Sequence, residues 1–231
     1  RKQERAYLFE IGAVYYQIAS AYHETTRISG LAYGSTKPEQ WAESSKEVDF
    51  FDVKAHVEAL LGATHTGRQI VYEKATHSAL HPGQSARILL DGKVIGWLGK
   101  LHPKWQQQYD LAKSTFLFEM DADALLSRHL PAYQEVSKLL PVRRDLAIVL
   151  DENIAVQTVL SAVKKANIPL IQEVALFDLY QGKGIAESKK SLALSVLMHD
   201  TQKTLTDVEA DIAIANLLQL LQNNFDAALR N

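Results

Sequence analysis

Two runs rich in β-branched and aromatic residues, 6–16 and 26–33, predict strands at the start of the chain. The spacing then changes to three and four. Phe50, Val53, Val57, Leu60 and Leu61 fall on one helical face, Asp49 stands at the N-cap position, and Gly62 sits where a C-cap is expected. Residues 87–90 and 93–98 flank Asp91-Gly92, a pair that tolerates the positive φ of a tight hairpin turn. A strand at 115–120 and a short helix at 121–130 follow, until Pro131 and then Pro141 break the pattern. The reading is a first domain over 1–130, a linker over 131–136 and a second domain over 137–231. In that second domain the expected order is strand 145–150, helix 155–166, strands 173–180 and 191–199, a long helix, and a short strand at 227–230. Thr206 and Glu209 have capping-box spacing at the start of the long helix, and Ile214, Leu217, Leu218, Leu221 and Phe225 form its apolar stripe. The order β-α-β-β-α-β is the ferredoxin-like arrangement, and the fold class is α+β.

Composition narrows the function classes. The 231 residues suffice for one or two domains, and 47% hydrophobic content suffices for their cores. No apolar run approaches the roughly 18 residues of a membrane span, and no signal-peptide pattern opens the chain. The absence of Cys excludes disulfides and thiolate metal sites and fits a cytoplasmic protein. With 25 Lys+Arg against 27 Asp+Glu there is no global positive field, so nucleic-acid binding would rest on local patches. The chain opens without Met on a strand-like run and reads as a piece of a longer polypeptide.

Several stretches resemble phenylalanyl-tRNA synthetase β subunits, in the family's order over nearly the full length. They include Phe9-Glu10-Ile11-Gly12, Ser29-Gly30-Leu31-Ala32-Tyr33-Gly34, Val48-Asp49-Phe50-Phe51-Asp52-Val53-Lys54, Ala79-Leu80-His81-Pro82-Gly83-Gln84-Ser85-Ala86 and Ile95 through Pro103. In the second domain they are Pro141 through Ala147, Leu176 through Gly184, and Lys190 through Leu194. The chain departs from the family at Leu139-Leu140, where the family usually has an aromatic and a Pro, and at Ala55 and Ser188, where it usually has Gly. The resemblance implies a non-catalytic module shaped like a class II synthetase core, followed by a ferredoxin-fold anticodon-binding domain. It further implies an α subunit that carries the active site, tRNA(Phe) as the RNA, an α2β2 assembly, and ATP and Mg2+ used by the whole enzyme.

The residues themselves supply no catalytic set. Class II aminoacylation needs positioned Arg side chains and metal ions to hold phosphates. Gly96 to Gly99 is a small-residue strand, but Lys100-Leu101-His102-Pro103 follows instead of an Arg, and Pro103 is expected to block a helix there. His77 and His81 have a spacing that could place two metal ligands on one helix face, yet Pro82-Gly83 makes a turn directly after them. His81 and His102 read as loop residues satisfying nearby backbone, and His56 as solvated. Asp49, Asp52 and Glu58 read as a cap, a first-turn charge and an exposed charge. Tyr7, Phe9, Tyr15, Tyr16, Phe50, Phe51, Trp97, Trp105 and Phe116 read as packing residues, some of them facing a partner subunit.

Strand alternation sorts the second domain into two faces. Leu146, Ile148, Leu192, Leu194 and Val196 fit the core, while Asp145, Ala147, Ser191, Ala193 and Ser195 fall on the open face. RNA-recognition modules with this strand order place stacking aromatics at comparable positions. Here Ala147 and Ser195 make a shallow floor that a base or ribose could approach. Arg143 and Arg144 precede the first strand, and Lys183, Lys189 and Lys190 lie in or beside the hairpin loop, roughly 20 Å away at about 3.3 Å per residue. Phe177 and Tyr180 alternate in direction, and Tyr180, at the loop, is the one expected to face RNA. The candidate tRNA-binding set is therefore Arg143, Arg144, Ala147, Tyr180, Lys183, Lys189, Lys190 and Ser195, with no catalytic or metal-binding residue. Two other readings stand beside it: a structural or regulatory module whose second domain binds a protein or small ligand, and an independent enzyme using the His81 region.

Overall fold

The computed structural model describes residues 3–64, 69–126, 139–200 and 203–230. The chain divides into two compact units, Arg1–Tyr133 and Gln134–Asn231. The linker expected at 131–136 and the last residues of the helix expected at 121–130 lie outside the described residues.

In the first unit the two opening strands are longer than predicted. Strands β1 (Arg5–Ile18) and β2 (Ala21–Gly34) form one hairpin in unbroken antiparallel register from Arg5↔Gly34 to Ile18↔Ala21, turning at Ala19 with φ 53. Helix α1 (Phe50–Gly62) is followed by β3 (Ile70–Lys74), β4 (Leu80–Leu90), β5 (Lys93–Leu101), the short helix α2 (Pro103–Gln108), β6 (Thr115–Asp121) and α3 (Asp123–Leu126). The sheet order is β1-β2-β6-β5-β4-β3, all neighbours antiparallel. Asp49 and Asp52 form a reciprocal capping box at the start of α1. The three-and-four spacing then turns Val53, Val57 and Leu61 onto one face of the sheet, where they pack with Ile28, Ala32, Ile88, Leu98, Phe116 and Met120. Asp91 (φ 49) and Gly92 (φ 81) make the expected turn between β4 and β5.

Strand β3 was not anticipated, and two further features of this unit differ from expectation. The first part of β4 contains Pro82-Gly83, which reads as a loop, yet it belongs to the strand because a register shift between Leu80 and Ser85 absorbs the irregular stretch. Pro103 does not block a helix. It occupies the first turn of α2, where its missing N–H would have had no intrahelical partner, and the His102 side chain caps that turn by accepting from the Lys104 N–H.

The second unit runs β7 (Val142–Asp151), α4 (Val156–Ala166), β8 (Ile171–Tyr180), β9 (Lys189–Met198), α5 (Asp207–Phe225) and β10 (Ala228–Leu229), with sheet order β10-β7-β9-β8. This is the β-α-β-β-α-β order, and the chain as a whole is α+β with antiparallel sheets. Ile148, Leu150, Leu192, Leu194 and Val196 point inward against Val159 and Val163 of α4 and Ala210, Ala213, Leu217 and Leu221 of α5. Thr206 and Glu209 close the capping box of α5. With both helices on one face, the other face of β7 and β9 is left open.

Candidate nucleic-acid interface

The open face is built by alternation along the two central strands. Asp145 lies opposite Ser195, Ala147 opposite Ala193 and Val149 opposite Ser191. Ala147, Ala193 and Ser195 are half-buried and Ser191 is buried. Their side chains are too short to rise above the backbone, so the centre of the sheet is a floor rather than a ridge. The Ser195 hydroxyl donates to the Ala175 carbonyl of β8 at 3.4 Å.

Aromatic side chains border this floor, contrary to the expectation that only Tyr180 could face outward. Three residues apart on a regular strand, Phe177 and Tyr180 would point to opposite faces. A register shift between Leu176 and Asp178 inserts Phe177 as an extra residue, and both rings end on the open side. Phe177 is 55% exposed and Tyr180 38%. Each meets an arginine. The Arg143 guanidinium lies 5.8 Å from the Phe177 ring centroid, and it also holds Asp145 through two hydrogen bonds of 2.8 and 3.2 Å. At the other end of β8, the Arg230 guanidinium lies 5.2 Å from the Tyr180 ring.

Arg230 escaped the sequence reading. Its backbone N–H donates to the Ala147 carbonyl at 2.8 Å, which extends the β10 pairing with β7 by one residue and places Arg230 on the face that carries Ala147. From there the side chain crosses the floor, reaching the Ser191 hydroxyl at 3.5 Å and the Tyr180 ring beyond it. The available signal was alternation within the short last strand: Ala228 and Arg230 share a face that Leu229 does not.

The loop after β8 is held by its own backbone. The Tyr180 hydroxyl donates to the Lys183 carbonyl at 3.1 Å, and Gly182 (φ 151) and Gly184 (φ 92) take conformations that favour glycine. Ser188 adopts φ 63, so the loop keeps a left-handed residue at this position although glycine is absent. Lys183 is exposed, and Lys189 lies 3.8 Å from Asp226. Paired with Asp151, Lys189 sits six residues along β7 from Asp145, so the two basic ends of the sheet are separate.

Two of the eight candidate residues lie on the helix side instead. Arg144 shares its direction with Leu146 and donates to Asp207 at the start of α5, at 2.7 Å. Lys190 pairs with Leu150, is 7% exposed, and donates from Nζ to the carbonyls of Glu152 and Ile154 at 2.8 and 2.5 Å. Burial lowers its pKa against the opposing pull of Asp151 and Glu152. Lys190 thus braces the β7–α4 turn. The Glu152 N–H also donates to the Ser188 carbonyl at 2.9 Å, and Gln181 donates to the Glu152 carboxylate at 3.3 Å, so one braced turn anchors both ends of the lysine loop.

Among its described residues the first unit gathers no comparable chemistry. His77, His81 and His102 each accept, through Nδ1, the backbone N–H two residues on, at 3.3, 3.0 and 3.1 Å. His56 is exposed, as expected, and its ring also meets the Tyr7 ring edge-to-face at 5.7 Å. Lys46 bridges Asp49 and Asp52, and Lys54 pairs with Glu58, one turn along α1. Among the described residues no group of three or more His, Cys, Asp or Glu side chains could hold a metal ion. No helix among them is long and apolar enough to cross a membrane.

Two family models match the chain over separate stretches. The family model described as the phenylalanyl tRNA synthetase beta chain CLM domain matches residues 1–122, and that of the ferredoxin-fold anticodon binding domain matches residues 137–230. Phenylalanine–tRNA ligase beta subunits of Nitrosospira multiformis, Chromobacterium violaceum and Neisseria gonorrhoeae are 46%, 46% and 43% identical over 231, 219 and 219 residues. These alignments cover 100%, 95% and 94% of this chain but only 29%, 27% and 27% of the relatives, so the chain spans under a third of their length. The chain belongs to the phenylalanyl-tRNA synthetase β-chain family.

Proposed function

We propose that the chain serves as the tRNA-gripping and assembly region of a cytoplasmic phenylalanine–tRNA ligase β subunit, within an α2β2 enzyme that charges tRNA(Phe) at the expense of ATP with Mg2+. In this reading residues 1–130 are a non-catalytic class II-like module that pairs with the α subunit, where the chemistry is done. Residues 137–231 bind the anticodon loop. The observation that carries the reading is the open face of β7 and β9: a small-residue floor bordered by Arg143 with Phe177 and by Arg230 with Tyr180. A splayed single strand needs a floor it can approach, π-faces to stack on, and cations beside its phosphates. Ala147, Ser195, Phe177, Tyr180, Arg143, Arg230, Lys183 and Lys189 supply them. Arg144 and Lys190 act from the other face as supports.

For assembly, the first unit offers the β1–β2 hairpin. Strand β6 pairs with β2 only from Arg27 to Tyr33, leaving the outer half of the hairpin beyond the sheet. Tyr15, Ile18 and Tyr22 are exposed on that outer half, and Phe9 and Ile11 on the inner half of β1, the composition of an interface core.

Hydrogen-exchange mapping with an anticodon stem-loop of tRNA(Phe) tests the RNA reading. Protection is expected in β7, β9, the β8–β9 loop and residues 228–230, with none produced by an acceptor-stem minihelix. Protection confined to α4 and α5, or equal protection by both RNAs, would refute it.

A further inference from the structure

Between β2 and α1 the chain makes a closed loop whose tip displays a tryptophan. Its neck is fastened by an antiparallel bridge between Ser35 and Glu47, by the Thr36 N–H on the Lys46 carbonyl at 2.9 Å, and by the Val48 N–H on the Gly34 carbonyl at 2.8 Å. Lys37 spans the loop to Glu43, with Nζ at 2.5 and 2.7 Å from the two carboxylate oxygens. Gly34 at the neck has φ 78, and a Cβ there would stand 2.0 Å from the Glu4 carbonyl oxygen, so only glycine lets the start of β1 lie against the neck. Below the tip is a hollow of about 750 Å³ lined by Pro38, Gln40, Ala42, Ser44 and Asp52 among others. At the tip, Trp41 is 99% exposed.

A tryptophan in this state leaves about 200 Å² of ring surface in water, which the unit could have buried. The closed neck removes most of the entropy that a free loop would lose on docking, so the ring is presented in advance of a partner. The surrounding charge selects the partner's chemistry. Residues 35–52 hold two lysines against five carboxylates, and both lysines are tied, Lys37 to Glu43 and Lys46 to Asp49 and Asp52. Glu39 stands two residues from the ring. A phosphate backbone would be repelled here, whereas a protein surface with an apolar cup rimmed by lysine or arginine is complementary. Phe51, 72% exposed on the first turn of the helix that follows, adds a second apolar contact at this end of the unit.

We propose that the Trp41 loop is an anchor for protein association, inserting its ring into a basic-rimmed apolar pocket of the α subunit. This inference rests on the assembly reading above, and the experiment separates the two. Binding of purified α subunit to the 231-residue chain is measured by titration for the unsubstituted chain, Trp41→Ala and Glu39→Gln, with Trp97 and Trp105 replaced by Phe in a parallel set so that Trp41 is this chain's single tryptophan, its emission read as the difference from the α subunit alone. The Trp41→Ala chain is expected to keep its Tm, since the ring packs on little, and to lose at least about 30-fold in affinity, as a central interface tryptophan does. Glu39→Gln is expected to slow association a few-fold at low salt only. Trp41 emission should move to the blue on α-subunit binding and stay unchanged with tRNA. If the unsubstituted chain fails to bind the α subunit, the assembly reading falls and this inference with it. If that chain binds and Trp41→Ala binds equally well, only the anchor is overturned. Quenching of Trp41 by tRNA instead would overturn it in favour of an RNA contact.

Discussion

Replacing Ala147 by Glu is expected to lower affinity for tRNA(Phe) by tenfold or more, about 1.4 kcal/mol at least, while the Tm of the second unit stays within a few degrees. Ala147 is half-buried at the middle of β7 and directly opposite Ala193, so a longer side chain there rises into the space above the floor and disturbs no core packing. Its carboxylate would meet approaching phosphates with like charge. It would also compete for the Arg230 guanidinium, whose backbone N–H already bonds the Ala147 carbonyl, and draw it from Tyr180. Ala147→Ser, which keeps the floor low, is expected to bind nearly as the unsubstituted chain does. Equal binding by the Glu and Ser variants in filter or fluorescence titrations would show that RNA does not enter over β7.

Gly96→Ala is expected to produce the largest loss of stability among conservative substitutions in the first unit, at the top of the roughly 1–3 kcal/mol range for overpacked cores or above it. A Cβ at this position would lie 2.2 Å from the Glu119 carbonyl oxygen and 2.5 Å from the Met120 Cβ. Met120 is fully buried and Gly96 is its direct partner across β5 and β6, so neither strand can retreat without opening the core. The same substitution at Gly62 meets nothing within 4 Å on the last turn of α1 and should be neutral or stabilising by up to about 1 kcal/mol. Urea unfolding of the two variants checks the contrast, and similar midpoints would contradict it.

Gly96 also shows where sequence reading runs out. As sequence, Gly96 to Gly99 is a small-residue strand that invites a search for phosphate chemistry. In the fold its smallness is demanded by Met120, a residue on another strand that no local pattern links to it. Elements were legible where periodicity and caps agree, Asp49 with α1, Thr206 and Glu209 with α5, Asp91-Gly92 with the β4–β5 turn, whereas β3, the first part of β4 and α2 were not. The small-residue floor was legible, since period-two alternation needs only a correct strand.

The candidate site was legible only in part. Alternation that turns Leu146 and Leu192 inward also turns Arg144 and Lys190 inward, and counting basic residues by proximity in sequence ignored this. Phe177 was misplaced for the opposite reason: a β-bulge breaks the alternation and leaves no mark in composition. Arg230 lies beside a strand of two residues, too short to carry a periodic signal, and its reach across three strands depends on the length of its own side chain. Pro103 misled because a proline that breaks a helix interior is the same residue that opens a first turn.

The central claim is that RNA is gripped by the cations on the open face and its loop, and not by Lys190 on the helix side. The most direct test is the slope of log affinity for tRNA(Phe) against log salt concentration, measured for the unsubstituted chain, the Lys183→Ala/Lys189→Ala double variant and Lys190→Met. Removing one lysine–phosphate pairing should flatten the slope by about 0.7 to 0.9, so the double variant is expected to bind more weakly and with a slope shallower by about 1.4 to 1.8. Lys190→Met, which leaves two backbone carbonyls without their donor, is expected to lower stability by roughly 1–3 kcal/mol yet keep the unsubstituted slope where the chain remains folded. An unchanged affinity and slope in the double variant, or a flattened slope in folded Lys190→Met, would contradict the account.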